Sequence, residues 1–388
     1  MSLVRFVATT AAAVAMATVP ASAQVPARSL AGPEATFAEP FSSIAGIREL
    51  SDGRVLVSDR LESAVRLIDF SRGTFDEVGR VGQGPGEFQT PGDLLPLPAD
   101  STLLVDFGNM RMSVITPTGV LLMESSPLMR PDGFFLQPSA TDGAGRVYFD
   151  MEGVLMVGRG AGGPPQPSDS AAVARWDRSG SGVDTVAMLT NYRKLDGAVT
   201  KLGGGGASFS FAGRPYNRSD AWDVAANGDV VIARADPYQI EVHSPDGSVV
   251  VGPPVPYEPV PITQEDKEAW ADGLAGARVS IISRSGESGG GGGALELPRP
   301  EIDDVDWPQV KPPFPGEAVR VTSTGEIWVQ RHVELGAPET YDVFDSTGRR
   351  LEQVILPEGR RLVGFGREVV YLVRTDEYDL QWLERHRR

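Results

Sequence analysis

A unit of four short strands repeats along this chain, most clearly over residues 79–119, GRVGQGPGEFQTPGDLLPLPADSTLLVDFGNMRMSVITPTG. A glycine-rich loop leads into a short apolar approach, a tight turn at Asp100-Ser101, a β-rich run at 103–105, a polar bend, a second run at 112–115 and a Pro-Thr-Gly turn. Runs of that length between turn residues read as strands of one antiparallel sheet. Degraded copies lie on both sides of it. The turn before the second strand falls at Gly53, Ser101, Gly145, Gly228, Gly325 and near Arg367, in steps of about 45 residues where nothing is inserted. Asn227-Gly228 and Asp246-Gly247 are dipeptides that close two-residue hairpins, since glycine accepts positive φ without a steric penalty.

This period predicts an all-β chain, a six-bladed β-propeller of four-stranded antiparallel blades. The last copy, from residue 362 on, ends after three strands, and the segment 37–41 is expected to supply the fourth. That would close the ring with hydrogen bonds and leave no open edge. One helix is predicted, over residues 263–284, inside a helical and glycine-rich insertion at about 257–313 between blades four and five. Thr263 caps it, with Gln264, Glu265 and Asp266 in a first turn where exposed amides and the helix dipole favour acids. Trp270 and Leu274 lie one turn apart on a face able to dock. The glycine runs 203–206 and 289–293 carry too few side chains to pack.

Residues 1–23 read as a secretory signal peptide: Arg5, an apolar stretch from Phe6 to Pro20, then Ala21-Ser22-Ala23 for the peptidase. The remaining chain, 24–388, is expected to be a single periplasmic or secreted propeller domain without membrane insertion, and a monomer. With no cysteine it has no disulfides, so burial alone must stabilise it. The formal charge of −16 repels phosphate backbones and argues against nucleic acid.

The run VGQGPGEFQTPGDL followed by LLVDFGNMRMSVITPTG resembles the repeat of NHL-like six-bladed β-propellers. The ending GREVVYLVRTDEYDLQWLERHRR is similar to the closing blade of a group of exported bacterial six-bladed propellers. The resemblance covers nearly all of the chain after residue 23 and implies the fold. It implies little about activity, and the long insertions of blades three to five keep a relative's partner from being carried over.

Strand parity locates a site independently of that resemblance. If strands a to d run outward from the axis, the a–b and c–d turns share one face and the other connections share the opposite one. The long excursions 151–170, 191–218 and 257–313 all belong to the second class, so one face carries them all. Binding residues gather on loops held by a rigid scaffold, and that face is where a ligand is expected. The candidate binding residues there are Phe209, Arg214 and Tyr216, just before the innermost strand of blade four, and Arg331 with His332 at the b–c end of blade five. Phe209 and Phe211 have a competing role as a plug of the channel.

Chemical motifs are sparse. The loop Gly82-Gln83-Gly84-Pro85-Gly86 precedes no helix, and Pro85 lacks an amide donor, so it is not read as a phosphate cradle. Asp59 and Asp106 read as turn clamps or blade-to-blade ion-pair partners of Arg66 and Arg111. His243, His332 and His386 are scattered, His386 in what reads as a tail, and no close pair suggests zinc. The acids Glu301, Asp303, Asp304 and Asp306 lack the spacing of a calcium loop. No Gly-x-Ser-x-Gly elbow occurs. No catalytic residue, metal ligand or cofactor is assigned. The expectation is a non-catalytic, exported propeller that binds a protein, peptide or glycan on the inserted face. The alternative is a propeller hydrolase, lactonase or lyase with a metal at the channel mouth.

Overall fold

The computed structural model describes residues 25–128, 136–150, 170–178, 180, 182–190, 195–202, 206–213, 215–275, 278–281, 293–296 and 299–388, with backbone alone at 195–202, 206–213, 278–281 and 293–296. Six sheets follow one another around a ring. Blade one is Ile44–Glu49, Val55–Asp59, Ala64–Asp69 and Thr74–Glu77; blade two is Pro91–Pro96, Thr102–Asp106, Arg111–Ile115 and Leu121–Pro127. Blade three is Ala140–Thr141, Val147–Asp150, Ala171–Trp176 and Val183–Leu189; blade four is Ala221–Val224, Val230–Ala235, Tyr238–His243 and Val249–Val251. Blade five is Val319–Val321, Ile327–Gln330, Thr340–Phe344 and Arg350–Ile355, and blade six has Arg360–Phe365, Val369–Thr375 and Gln381–Arg387.

The second strand of each blade is packed on both faces by its neighbours. Runs such as VLVSD and TLLVD are therefore buried throughout and read as continuous apolar stretches, not alternating ones. The core is divided between blades. Leu56 and Leu67 of blade one meet Leu94, Leu104 and Ile115 of blade two, while Ile240 and Val242 of blade four meet Val319, Ile327 and Phe344 of blade five. Close approach near the axis explains Gly46, where an added Cβ would stand 2.8 Å from the Leu94 amide nitrogen.

The amino-terminal segment closes the ring. The strand expected from residues 37–41 is instead Ala35–Thr36, which pairs antiparallel with Gln381–Arg387 as the fourth strand of blade six. The Phe37 amide then donates to Leu383 O at 2.9 Å and the Phe41 amide to Gln381 O at 2.8 Å. Both rings enter the core shared by blades six and one. An addition that the repeat did not announce is Ala27–Ser29, a fifth strand lying parallel to Arg350–Ile355 on the rim of blade five.

Two further sequence expectations are corrected. The helix spans Gln264–Leu274 and stops well short of residue 284. Gly273 weakens its last turn, and Arg278–Ile281, with Val279 and Ile281 β-branched, pairs as a hairpin with Gly293–Glu296. His386 is not in a loose tail. It is fully buried in the closing strand, with Nδ1 2.9 Å from Ala31 O and Nε2 3.1 Å from a Glu384 oxygen, because the amino-terminal segment covers it. The glycines 203–205 and 289–292 and the excursion 151–169 lie outside the described residues. No helix among the described residues is long and apolar enough to cross a membrane.

A candidate ligand site on the inserted face

Antiparallel pairing within every blade sets the two faces of the ring. The a–b connections are short in all six blades and the c–d connections in the first five, and the hairpin Leu195–Leu202 with Gly206–Gly213, the capped helix and the hairpin that follows it all fall in connections of the other class. Asp59 and Asp106 hold that face's loops to the blades. Asp59 accepts from the amides of Ser42, Ser43, Leu61 and Glu62, and Asp106 from those of Gln89, Thr90, Gly108 and Asn109. They are turn clamps. Arg66 pairs instead with Glu62 and Glu77, and Arg111 donates to the carbonyls of Gln83, Gly84 and Glu87. Glu87 accepts from the Gly84 amide at 2.7 Å and leaves no room for a Cβ at Gly82, so the glycine loop folds around a carboxylate of its own.

The insertion is pinned by Asp266. Its carboxylate takes the Thr263 amide at 2.9 Å and its own amide donates to Thr263 Oγ1 at 3.2 Å, a reciprocal cap that starts the helix. The Lys311 ammonium lies 2.7 Å from Oδ1 and donates to Val333 O at 2.9 Å, joining helix, insertion end and blade five. Burial works to raise the Asp266 carboxyl, but Lys311 and Thr263 outweigh it and hold it below its ordinary range. Burial first, then the Asp266 charge, pushes Tyr216 up to about 12, so it keeps its proton.

Tyr216 adopts φ 52, a left-handed conformation that costs a bulky residue energy. Its ring meets the His332 imidazole edge-on at 5.5 Å between centroids. Burial, and secondarily the Lys311 charge, lowers His332 to about 4, while Asp266 opposes the shift. The imidazole is therefore neutral at physiological pH, with one nitrogen a donor and the other an acceptor. Among the described residues its ring makes no hydrogen bond to protein. Trp307 lies 6.4 Å from Tyr216, and Trp270 of the helix lies 5.2 Å from Trp307. All four rings are half-buried.

Of the five residues singled out from sequence, the structure brings Tyr216 and His332 together. Arg331 is engaged elsewhere, 3.2 Å from Asp342, a buried hub that also takes Tyr238 Oη and Gln353 Nε2. Phe209 lies on the strand Gly206–Gly213 opposite Val199, with its side chain outside the description. Arg214 lies outside the described residues, and the plug expected from Phe209 and Phe211 rests on side chains that are outside it too.

Sequence reasoning missed Lys311, Trp307 and the joining role of Asp266. A lone lysine in the apolar, proline-rich run VKPPF was the available signal, since a cation there must find a buried partner. It also missed the charged groups near the axis. Asp93, on the innermost strand of blade two, is raised by burial and by Glu317 against the pull of Arg60 and Arg320. Asp223, on that of blade four, is raised by burial although it accepts from the Val321 amide at 2.7 Å and the Val224 amide at 2.8 Å. Among the described residues no three histidines, aspartates or glutamates converge as metal ligands. A cavity of about 390 Å³ opens on the rim between blades one and two, but its charges, Arg66, Glu62, Glu77 and Arg80, are already paired.

No family model matches the sequence, and no curated protein matches it. Solved structures are similar over most of the chain. A gluconolactonase from Xanthomonas campestris is 12% identical, with 90% of this chain and 88% of that one covered and a TM-score of 0.44. Virginiamycin B lyase from Staphylococcus aureus is 14% identical over 90% and 97% of the two chains, with a TM-score of 0.37. The calcium-binding protein regucalcin from Agrobacterium tumefaciens is 11% identical over 93% and 96%, with a TM-score of 0.36. The six-bladed fold itself rests on the strand pairing above.

Proposed function

We propose that this chain is an exported, non-catalytic propeller that binds its ligand on the inserted face, at the junction of Tyr216 and His332. The observation that carries the reading is the half-buried, neutral imidazole. Its ring makes no hydrogen bond to protein among the described residues, and it stands against a tyrosine held in a strained conformation. A neutral, half-open imidazole that makes no hydrogen bond to protein among the described residues has a donor and an acceptor free for a ligand, and local strain is characteristic of ligand clamps.

Crystals of the chain from Gln24 screened with a fragment collection test the reading. Fragments gathering against Tyr216 and His332 are the expected result. Fragments found only at the short turns of the opposite face would overturn the site, and lactone or ester turnover that follows added calcium or zinc would overturn the non-catalytic part.

A further inference from the structure

We infer that the ligand of this face is an uncharged oligosaccharide, laid along the ring series Trp270, Trp307, Tyr216 and His332; the inference rests on the reading above and narrows it. Consecutive rings stand 5.2, 6.4 and 5.5 Å apart, inclined at 82°, 47° and 65°. Each ring is fixed by its neighbours and half-open to solvent. Such rings offer rigid apolar surface ending in polar tips, which suits the C–H faces and hydroxyl edges of a sugar.

Charge selects the class. Lys267 lies 5.6 Å from the Trp307 ring centre and Lys311 5.6 Å from that of Tyr216, so the places where a ligand cation would meet these rings are taken by cations of the protein. An anion would face the exposed Glu301, Asp303, Asp304 and Asp306 beside Trp307, on a chain of formal charge −16. Asp266 and Lys311 neutralise each other, Tyr216 keeps its proton, and His332 is uncharged. Apart from the Lys267 ammonium already over Trp307, what is left for a ligand is a neutral imidazole donor and acceptor among aromatic rings, and hydroxyl groups satisfy both.

The test is a titration of the chain from Gln24 with cellohexaose, xylohexaose and chitohexaose, and with hexalysine and an oligogalacturonate as charged probes, followed by tryptophan fluorescence and calorimetry. Saturable binding of a neutral oligosaccharide is expected, indifferent to salt. It should weaken about tenfold in His332→Ala and in Trp270→Ala, with the unfolding midpoint of each variant measured alongside. If hexalysine or the oligogalacturonate binds and no neutral sugar does, the inference is wrong. If no sugar binds although fragments gather at Tyr216 and His332, the site stands and its sugar specificity falls. If neither binds there, both fall.

Discussion

Lys311 and Asp266 form an ion pair of 2.7 Å whose side chains are only 4% and 2% exposed. It joins the end of the insertion to the first turn of the helix. Removing one member leaves the other charged and buried, which typically costs about 3–5 kcal/mol. Lys311→Met should therefore lower the urea midpoint and speed amide exchange over Gln264–Leu274. Combining it with Asp266→Asn should recover part of the loss, because the uncompensated charge is gone. An unchanged midpoint in Lys311→Met would contradict the role given to the pair.

The lowered pKa of His332 makes stability depend on pH. The folded state holds the imidazole neutral down to about 4, whereas the unfolded chain binds a proton near the ordinary value of 6.5. The contribution is thus complete above that value and is lost as pH falls toward 4. Its ceiling is about 3 kcal/mol, less whatever solvent at the half-open ring removes. Unfolding curves of wild type and His332→Gln between these limits should converge as the pH drops, and parallel curves would show that His332 does not titrate in this way.

Ring closure rests on two phenylalanines, Phe37 and Phe41, 2% and 1% exposed. Phe41→Ala should cost about 3–5 kcal/mol in denaturant unfolding. Deleting residues 25–41 would also bare the edges of Gln381–Arg387 and Arg350–Ile355. Open edges pair with other chains, so light scattering should show association of the deletion form. A deletion form that stays monomeric and as stable as wild type would contradict the closure.

Two glycines separate backbone approach from mere exposure. At Gly46 a Cβ would stand 2.8 Å from Leu94 N and 2.9 Å from Gly92 O, both backbone atoms of the next blade, while at Gly32 nothing lies within 4 Å. Gly46→Ala should destabilise by about 1–3 kcal/mol, as overpacking does, and Gly32→Ala should leave thermal unfolding unchanged. Equal effects of the two would show that the inner strands can move apart.

Much of this molecule was legible before any contact was known. Strand and turn signals are local: Val55 to Asp59 reads as a buried strand from its own side chains, and Asn227-Gly228 closes a hairpin by its own φ preference. Thr263 announced its cap with Asp266 three residues on. The helix end was misread because Val279 and Ile281 could continue a helical pattern as easily as begin a strand, and the pairing with Gly293–Glu296 decides it. His386 looked terminal only because nothing near it in the chain reveals that Ala31 and Glu384 enclose it.

Repetition, turn chemistry and an incomplete last blade were enough to establish six blades and the side of the ring that carries the insertions, since each is a property of short stretches. Which residues meet on that side was decided by the folded ring. Tyr216 and His332 come from two other connections than the one that carries both Asp266 and Lys311, and their protonation states arise from burial and from charges that only folding brings within reach.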